Sequence, residues 1–250
     1  MKIINAGGDG GHQLQIALKS LQDVKWRDKT ILDIGCSNGY VTSKILEKTG
    51  AKKIIGIEID ELRVKKAKEL EKKLASDRLE FYHGNATDLS QFPDEQFDGI
   101  FSNMVFQQLK DKVKEVLKEI HRILKKGGIA VINFNQEKSE VVVEIQKLLL
   151  QKEVEKSKDI DKESMMKLSE ESGFKVIKAD SDYDIYYHQS VDQLIGDPKK
   201  ASIAVKNQNY SDEELRVFWQ KLRKTFEARK TLNGYPEQWN IVYLKLIKIR

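Results

Sequence analysis

The stretch ILDIGCSNGYVTSKI, residues 31–45, combines an apolar run with an acid and regularly spaced small residues. Asp33 interrupts the apolar run, and Gly35, Ser37 and Gly39 follow it at steps of two. Small residues let a ligand touch the backbone, and the N–H groups at the start of a helix can hold an anionic end of that ligand. The segment therefore predicts a small-molecule site in a turn between a strand and a helix.

The charge of Asp33 narrows the class of ligand that this turn can accept. A dinucleotide-binding turn has glycines at its first, third and sixth places, which Gly35, Ser37 and Tyr40 occupy here. Asp33 precedes the first glycine, where its negative charge would repel a pyrophosphate and attract an ammonium or a sulfonium. The pattern therefore favours S-adenosylmethionine over NAD as the bound molecule.

Two later segments supply groups that suit a nucleoside. IIGIEID contains Glu58, nineteen residues beyond Gly39, a spacing at which an acid can bind both ribose hydroxyls. Asp60 follows it and is predicted to cap the next helix. In HGNATDL, Asn85 and Ala86 can present a side-chain amide and a backbone N–H to the edge of an adenine.

Short apolar runs alternate with amphipathic helical patterns through the first part of the chain. Nearly continuous apolar character is typical of strands buried on both faces of a parallel sheet. The predicted strands are TILDIG (30–35), KIIGIE (53–58), RLEFYH (78–83), FDGIFSN (97–103) and GIAVINF (128–134). The helix before the fifth strand is expected to stop at KKGG, residues 125–128. This alternation predicts an α/β fold with a doubly wound sheet.

The pattern changes after the fifth strand. The elements predicted there are helices over about 138–156 and 161–172, a sixth, bent or paired strand over 174–189, and a last strand in QWNIVYLKLIKIR at the C-terminus. A further helix is predicted to begin at a capping box formed by Ser211 and Glu214.

These elements suggest how the chain is organised. We expect residues 1–250 to form a single domain, with 1–25 as an N-terminal gate segment. Residues 189–238 are expected to form a small helical cap inserted before the last strand, because so long a structureless stretch is uncommon in a compact domain.

Four segments together resemble the class I S-adenosylmethionine-dependent methyltransferases: LDIGCSNG, GIEID, GNATDL and FDGIFSN…LKEIHRILKKGG. The resemblance covers roughly residues 28–134, in the right order and spacing. It implies a Rossmann-like, seven-stranded, mostly parallel sheet with an antiparallel last strand, and S-adenosyl-L-methionine as cofactor. The residues that it assigns to the cofactor are Asp33, Gly35, Cys36, Ser37, Gly39, Glu58, Ile59, Asn85, Ala86, Ser102 and Asn103.

Within this family, FSNMVFQQLKD and YYHQ are most similar to enzymes that methylate small carboxylic acids, such as trans-aconitate methyltransferase. In that group a glutamine near the N-terminus and an aromatic residue after the fourth strand grip the substrate carboxylate. Gln13 or Gln15 corresponds to the glutamine, whereas Gln108 stands at the aromatic position. The residues expected to contact the acceptor are His12, Gln13, Gln107, Gln108 and His188.

The chemistry of methyl transfer is compatible with such an acceptor. Displacement at a sulfonium needs orientation and exclusion of water, and an ionised carboxylate needs no general base. No Asp-Pro-Pro-Tyr-type segment, which amino-methylating nucleic-acid enzymes use to hold a nitrogen, follows the fourth strand. We therefore expect methyl transfer to a small molecule, with a carboxylate oxygen as the first choice. The alternatives are an RNA or protein methyltransferase and a non-catalytic S-adenosylmethionine-binding module.

Charge and composition limit the partners. The chain has 44 basic and 39 acidic residues, and the lysines of residues 65–73 alternate with glutamates. This alternation is typical of a solvated helix face rather than of a nucleic-acid surface. The single cysteine excludes an internal disulfide, and four scattered histidines lack metal-ligand spacing. We expect a cytoplasmic monomer or weak dimer without a metal site or membrane segment, acting on a small molecule.

Overall fold

Strands and helices alternate along the chain and build the sheet that positions the turn at residues 33–39. The computed structural model describes residues 4–5, 11–137, 140–150, 160–195 and 211–249. In chain order the elements are β1 (Ile4–Asn5), α1 (Gly11–Ser20), β2 (Thr30–Ile34), α2 (Tyr40–Thr49), β3 (Lys53–Glu58), α3 (Glu61–Leu74), β4 (Leu79–His83), β5 (Phe97–Asn103), α4 (Val113–Ile123), β6 (Leu124–Asn135), α5 (Glu140–Leu150), α6 (Lys162–Glu171), β7 (Phe174–His188), α7 (Val191–Ile195), α8 (Asp212–Glu227) and β8 (Tyr235–Lys248). Two short 3-10 turns, Phe106–Gln108 and Lys110–Lys112, lie between β5 and α4.

The chain divides into two units. The larger consists of Asp9–Gln136, Asp159–Asp182 and Ile241–Arg250. The smaller consists of Met1–Gly8, Glu137–Lys158 and Tyr183–Asn240. Strands β7 and β8 contribute residues to both units, because the boundaries fall inside them.

Seven strands form the sheet of the larger unit, in the order β7-β8-β6-β5-β2-β3-β4. Strand β2 pairs in parallel with β3 and β5, and β4 and β6 extend the parallel sheet on either side. Strand β8 is antiparallel to β6, with Ile129 opposite Ile247. The predicted seven-stranded, mostly parallel sheet with an antiparallel last strand is therefore confirmed. The carboxyl ends of β4, β3, β2 and β5 follow one another along one edge, where ligands of such sheets bind.

Helices cover both faces of this sheet. Successive residues of a strand point to opposite faces. Leu32 and Ile34 join an apolar cluster with α4 and α6, whereas Ile31 joins a second cluster with α1, α2 and α3. Because both faces are covered, the strands are apolar at nearly every position, which is the pattern that predicted the doubly wound arrangement.

The smaller unit contains the helices α5, α7 and α8, which share an apolar cluster around Phe226. Strand β1 pairs in parallel with β7, with Ile4 opposite Tyr186, and was not predicted from the sequence. Helix α8 begins with the predicted capping box, in which the Ser211 hydroxyl accepts from the Glu214 N–H at 3.3 Å. The capping prediction is confirmed.

Two predicted segments extend outside the described residues. Of the gate over 1–25, residues 1–3 and 6–10 lie outside them, and of the cap over 189–238, residues 196–210 do so. Both assignments stay predictions, as does the single-domain description. In the described part of the chain, every helix is too short or too polar to cross a bilayer.

The predicted stop of α4 at KKGG is wrong. Helix α4 ends at Ile123, and Leu124 opens β6 directly. Leu124 pairs with Phe97 and Ile129 pairs with Gly99, so the extra residues of KKGG are accommodated as an irregularity of β6. The glycines of KKGG therefore lie in the distorted start of a strand and do not cap a helix. The predicted helix over 138–156 is described only as Glu140–Leu150, and residues 151–156 lie outside the described part.

Candidate active site

A cavity of about 280 Å³ opens in the larger unit at the carboxyl ends of β2, β3, β4 and β5. This is the edge at which the sheet order reverses direction around β2. The residues lining it are Gln13, Ile34, Gly35, Ser37, Ile57, Glu58, Ile59, Arg63, Gly84, Asn85, Ala86, Asn103, Met104, Val105, Gln108 and Leu109. Residues from the turn, from both later segments and from α1 thus meet in one cavity.

The turn after β2 requires glycine for packing as well as for access. Gly35 has φ +79°, and a side chain there would overlap with the side chain of Val105. The Gly35 and Cys36 N–H groups both donate to the Ile57 carbonyl, at 2.8 and 3.0 Å, which ties the turn to β3. Gly39 also has a positive φ, but a side chain there would meet the Phe81 ring, outside the residues that line the cavity.

Asp33 lies behind the turn rather than in the cavity wall. Its side chain is buried, and its Oδ2 accepts from the Thr42 hydroxyl at 2.6 Å. Burial raises the pKa of Asp33 to about 7, with a further rise from the charge of Glu58 and an opposing effect of the Thr42 hydrogen bond. The acid therefore acts on the cavity through its charge, and that charge depends on pH.

Glu58 connects the turn to the end of β3. Its Oε2 accepts from the Ser37 N–H at 3.1 Å, and its Oε1 accepts from the N–H groups of Ile59 and Asp60 at 2.9 and 3.0 Å. A carboxylate has about four acceptor positions, so one remains at Oε2 for a hydroxyl of a ligand. A second ribose hydroxyl would have to replace one of the backbone donors.

The end of β4 and the start of α3 form the opposite end of the cavity. Asn85 lines it and accepts from the Thr87 N–H through Oδ1 at 3.0 Å, which leaves its amide nitrogen for a ligand. Ala86 lies beside it, and Ile59 is 62% exposed, so an apolar surface is available to an aromatic base. Arg63 also lines this end and was not singled out from the sequence. The prediction that Asp60 caps α3 is confirmed, because its Oδ1 accepts from Leu62 and Arg63 N–H groups.

The end of β5 forms the floor of the cavity. Ser102 is fully buried and donates to the Ile34 carbonyl at 3.2 Å, so it joins β5 to β2 and lies outside the cavity lining. Asn103 lines the cavity and donates through Nδ2 to the Gln13 carbonyl at 3.3 Å. Its Oδ1 is buried and has no hydrogen-bond partner among the described residues. A buried acceptor of this kind suits an ammonium group of a ligand.

Two of the glutamines predicted to orient the acceptor, Gln107 and Gln108, donate to the backbone. Gln107 donates through Nε2 to the Met104 carbonyl at 2.9 Å, and Gln108 donates to the same carbonyl at 3.4 Å. Gln108 lines the cavity, whereas Gln107 lies outside the lining. Each amide nitrogen carries a second hydrogen, so Gln108 retains a donor for a ligand.

The other predicted residues are distributed differently. Gln13 lines the cavity, and the buried His12 lies beside it on α1 but outside the lining. Cys36 is buried, and burial together with the charges of Asp33 and Glu58 raises the pKa of its thiol. A thiol of that kind is inert as a nucleophile.

His188 belongs to the smaller unit, where its Nε2 lies 3.0 Å from Glu237 Oε2. The cofactor and acceptor roles assigned from the sequence to residues of both units stay predictions.

The cavity fits a cationic nucleoside better than a pyrophosphate. Asp33 and Glu58 place negative charge beside the turn, and the Asn103 Oδ1 adds an acceptor. Of the described residues that line the cavity, Arg63 is the one cation, and it lies at the end formed by β3 and β4. S-Adenosylmethionine carries its sulfonium and ammonium at its amino-acid end, so Glu58, Asn85 and Asn103 are the residues that would hold its ribose, adenine and ammonium.

Part of the chain is similar in sequence to known methyltransferases. A family model described as a methyltransferase domain matches residues 32–132. Over 102 residues, the chain is 35% identical to a sterol 24-C-methyltransferase of Pneumocystis carinii, covering 40% of this chain and 26% of the relative. Over 126 residues, it is 30% identical to a demethylmenaquinone methyltransferase of Listeria welshimeri, covering 45% and 52%. The chain thus spans about half or less of the length of these curated relatives.

A solved structure extends the likeness to the fold. Phosphoethanolamine N-methyltransferase 2 of Haemonchus contortus, in complex with S-adenosyl-L-methionine, superposes with a TM-score of 0.57 at 17% identity. The superposition covers 99% of this chain and 54% of the other. Residues 32–132 are thus similar to a methyltransferase domain, and the chain shares its fold with a methyltransferase solved in complex with S-adenosyl-L-methionine.

Proposed function

We propose that the protein transfers the methyl group of S-adenosylmethionine to a carboxylate oxygen of a small molecule. The single observation that carries this proposal is the lack of a base at the acceptor end of the described cavity lining. Gln13, Asn103, Met104 and Gln108 line that end, and none of them titrates near neutral pH. An acceptor placed there must be a nucleophile without losing a proton.

A carboxylate meets this requirement. It is ionised at neutral pH, because ordinary carboxylic acids have pKa values near 4. The amide groups of Gln13 and Gln108 can donate to it without adding charge. An alcohol or a protonated amine would have to lose a proton first, and none of these four described lining residues can take it.

The protein contributes position rather than acid–base chemistry. The bound cofactor supplies an electrophilic methyl group, and displacement requires the attacking oxygen in line with the bond that breaks. Glu58 and Asn85 would hold the nucleoside end of the cofactor, and the Gly35 turn would hold its amino-acid end. Holding two reactants at fixed geometry lowers the activation barrier by about 7–11 kcal/mol in favourable cases.

Other members of the methyltransferase group act on different atoms. The names of the relatives refer to a sterol carbon, a menaquinone precursor and the nitrogen of phosphoethanolamine. These names support a small-molecule acceptor and leave the reacting atom to experiment. Membership of the small-carboxylate group, the cytoplasmic location and a monomer or weak dimer stay part of this proposal, without trans-aconitate itself as the acceptor.

The test uses the purified full chain with cofactor labelled in its methyl group and a panel of carboxylic acids. We expect labelled methyl esters that release methanol in base. The variant Glu58→Ala should lose this product, whereas Glu80→Gln, which removes a charge on β4 outside the cavity lining, should retain it. Label that appears only on nitrogen, on carbon or in RNA would contradict the carboxylate assignment.

A further inference from the structure

Met104 has a backbone conformation that its side chain disfavours. Its φ is +60°, in the left-handed region, and it is 6% exposed directly after β5. For a residue with a long side chain this conformation costs about 1–2 kcal/mol. Such a residue stays there only when its surroundings hold it, and it often lies at a functional site.

Hydrogen bonds on both sides hold Met104. Its N–H donates to the Asn133 carbonyl at 2.9 Å, with Asn133 Oδ1 at 3.2 Å. Its carbonyl accepts from the amides of Gln107 and Gln108. Asn133 is fully buried and donates in turn to the Ser20 hydroxyl at 3.2 Å, so β6 and α1 both support the position.

Met104 lies where the acceptor must approach. Along the sheet edge the cavity contains Asn85 after β4, Glu58 at the end of β3, Gly35 after β2 and Met104 after β5. If the nucleoside occupies the β4 and β3 end and the amino acid the β2 turn, the transferable methyl group faces β5. Met104 then forms the wall beside the reacting atoms.

This wall is apolar. Met104, Val105 and Leu109 line it, with uncharged amides from Gln13 and Gln108 beside them. Arg63, the one cation of the described lining, lies at the far end of the cavity, and its Nε is 3.8 Å from Asp60 Oδ2. An acceptor with two or three carboxylates would lose the hydration of its additional charges and gain no counter-charge from the described residues of this wall, at a cost of several kcal/mol per ion.

We propose that Met104, fixed by Asn133 and Gln107, selects an acceptor with one carboxylate on an apolar body and rejects polycarboxylic acids. This inference rests on the proposed function and defines its substrate class. Met104 acts as a specificity-determining residue, and Gln107 as a positioning residue that acts through it.

The first test compares acids of different charge with the full chain. We expect kcat/KM for octanoic and benzoic acids to exceed that for tricarballylic and aconitic acids by about tenfold or more, as expected for unpaired charges in a binding site. Tricarballylic acid methylated as well as octanoic acid would overturn this proposal and leave the proposed function intact. Cofactor binding without an ester from any acid would overturn both.

The second test changes the wall. Both Met104→Leu and Met104→Gln alter the wall, and we expect kcat/KM for octanoic acid to fall about tenfold further in Met104→Gln, because its amide replaces the apolar surface that Met104→Leu keeps. Both variants should bind the cofactor as the wild type does, which checks that they are folded. Equal activity of Met104→Gln and Met104→Leu on octanoic acid would contradict the proposal.

The third test removes the hydrogen bond through which Gln107 holds Met104. Gln107→Ala removes the 2.9 Å bond to the Met104 carbonyl at a residue outside the cavity lining. We expect kcat for octanoic acid to fall about tenfold and its preference over tricarballylic acid to shrink, with the cofactor Kd unchanged. A loss of activity with the preference unchanged would indicate a merely structural role and would contradict the proposal for Gln107.

Discussion

The Glu58 carboxylate holds the turn, and we expect it to bind the ligand as well. Three backbone N–H groups donate to it, and one acceptor position remains. Glu58→Ala should weaken S-adenosylmethionine binding by about tenfold to a hundredfold, the range for a lost hydrogen bond to a charged group. Titration calorimetry measures this directly.

The matched control for that prediction is Glu80→Gln. Glu80 lies on the neighbouring strand β4, pairs with Lys53 and lies outside the cavity lining. Its Kd for the cofactor should stay within about twofold of the wild type, because charges screened by solvent contribute little. An equal loss in both variants would show that general charge, and not the Glu58 site, governs binding.

We expect cofactor binding to depend on pH through Asp33. Its pKa is raised to about 7 by burial, so at pH 6 the acid is mostly protonated and its charge no longer balances a cation. Affinity should therefore rise by about eightfold between pH 6 and pH 7.5, a range in which an α-amino group with a pKa near 7.8 stays largely charged.

The Asp33→Asn variant provides the reference for this prediction. It cannot ionise, so its affinity should be weaker at pH 7.5 and nearly constant over the same range. Calorimetry in two buffers with different ionisation enthalpies should also detect proton release in the wild type near pH 6.5 and none in the variant. The same pH dependence in both proteins would exclude Asp33 as its origin.

At the scale of single elements, helix α3 depends on a local cap. Asp60 Oδ1 accepts from the N–H groups of Leu62 and Arg63 at 2.9 and 3.1 Å. Asp60→Ala should lower the free energy of unfolding by about 1 kcal/mol, as for other N-cap residues. Urea unfolding measures the change, with the exposed Asp77→Ala as control. A loss no greater than that of Asp77→Ala would contradict the role of this cap.

Signals that depend on neighbouring residues were predicted well from the sequence. Asp60 and Ser211 cap helices because a side-chain oxygen and the N–H groups it binds lie within three residues. The prediction from KKGG was wrong, because its glycines suit both a helix end and a distorted strand. The pairing of Leu124 with Phe97 decides in favour of the strand. Long-range pairing is not encoded in the local pattern.

The role of Gln107 was also beyond the sequence. Its amide donates to the carbonyl of Met104, a residue with a positive φ, and a sequence displays neither the contact nor the dihedral angle. The sequence did contain one indication of hydrogen bonding here, which is Asn133 within the apolar run GIAVINF. A polar residue in a buried strand needs a hydrogen-bond partner. Its partners Ser20 and Met104 are distant in the chain.

At the scale of the molecule, the apolar strand pattern predicted the sheet, and its order places four strand ends at one cavity. This cavity brings together Glu58, Asn85 and Asn103. In the sequence, Asn85 follows Glu58 by 27 positions and Asn103 follows Asn85 by 18. Asp33, Cys36, Gly39 and Ser102 were assigned to the cofactor but lie behind the lining, because the motif marks a turn and not every atom that faces a ligand.

The central claim is that the cavity at the ends of β2, β3, β4 and β5 binds a sulfonium nucleoside. Titration calorimetry of the purified chain with S-adenosylmethionine, and separately with NAD, tests it most directly. The account predicts saturable one-to-one binding of S-adenosylmethionine and no heat with NAD at millimolar concentration. Saturable binding of NAD without binding of S-adenosylmethionine would contradict it.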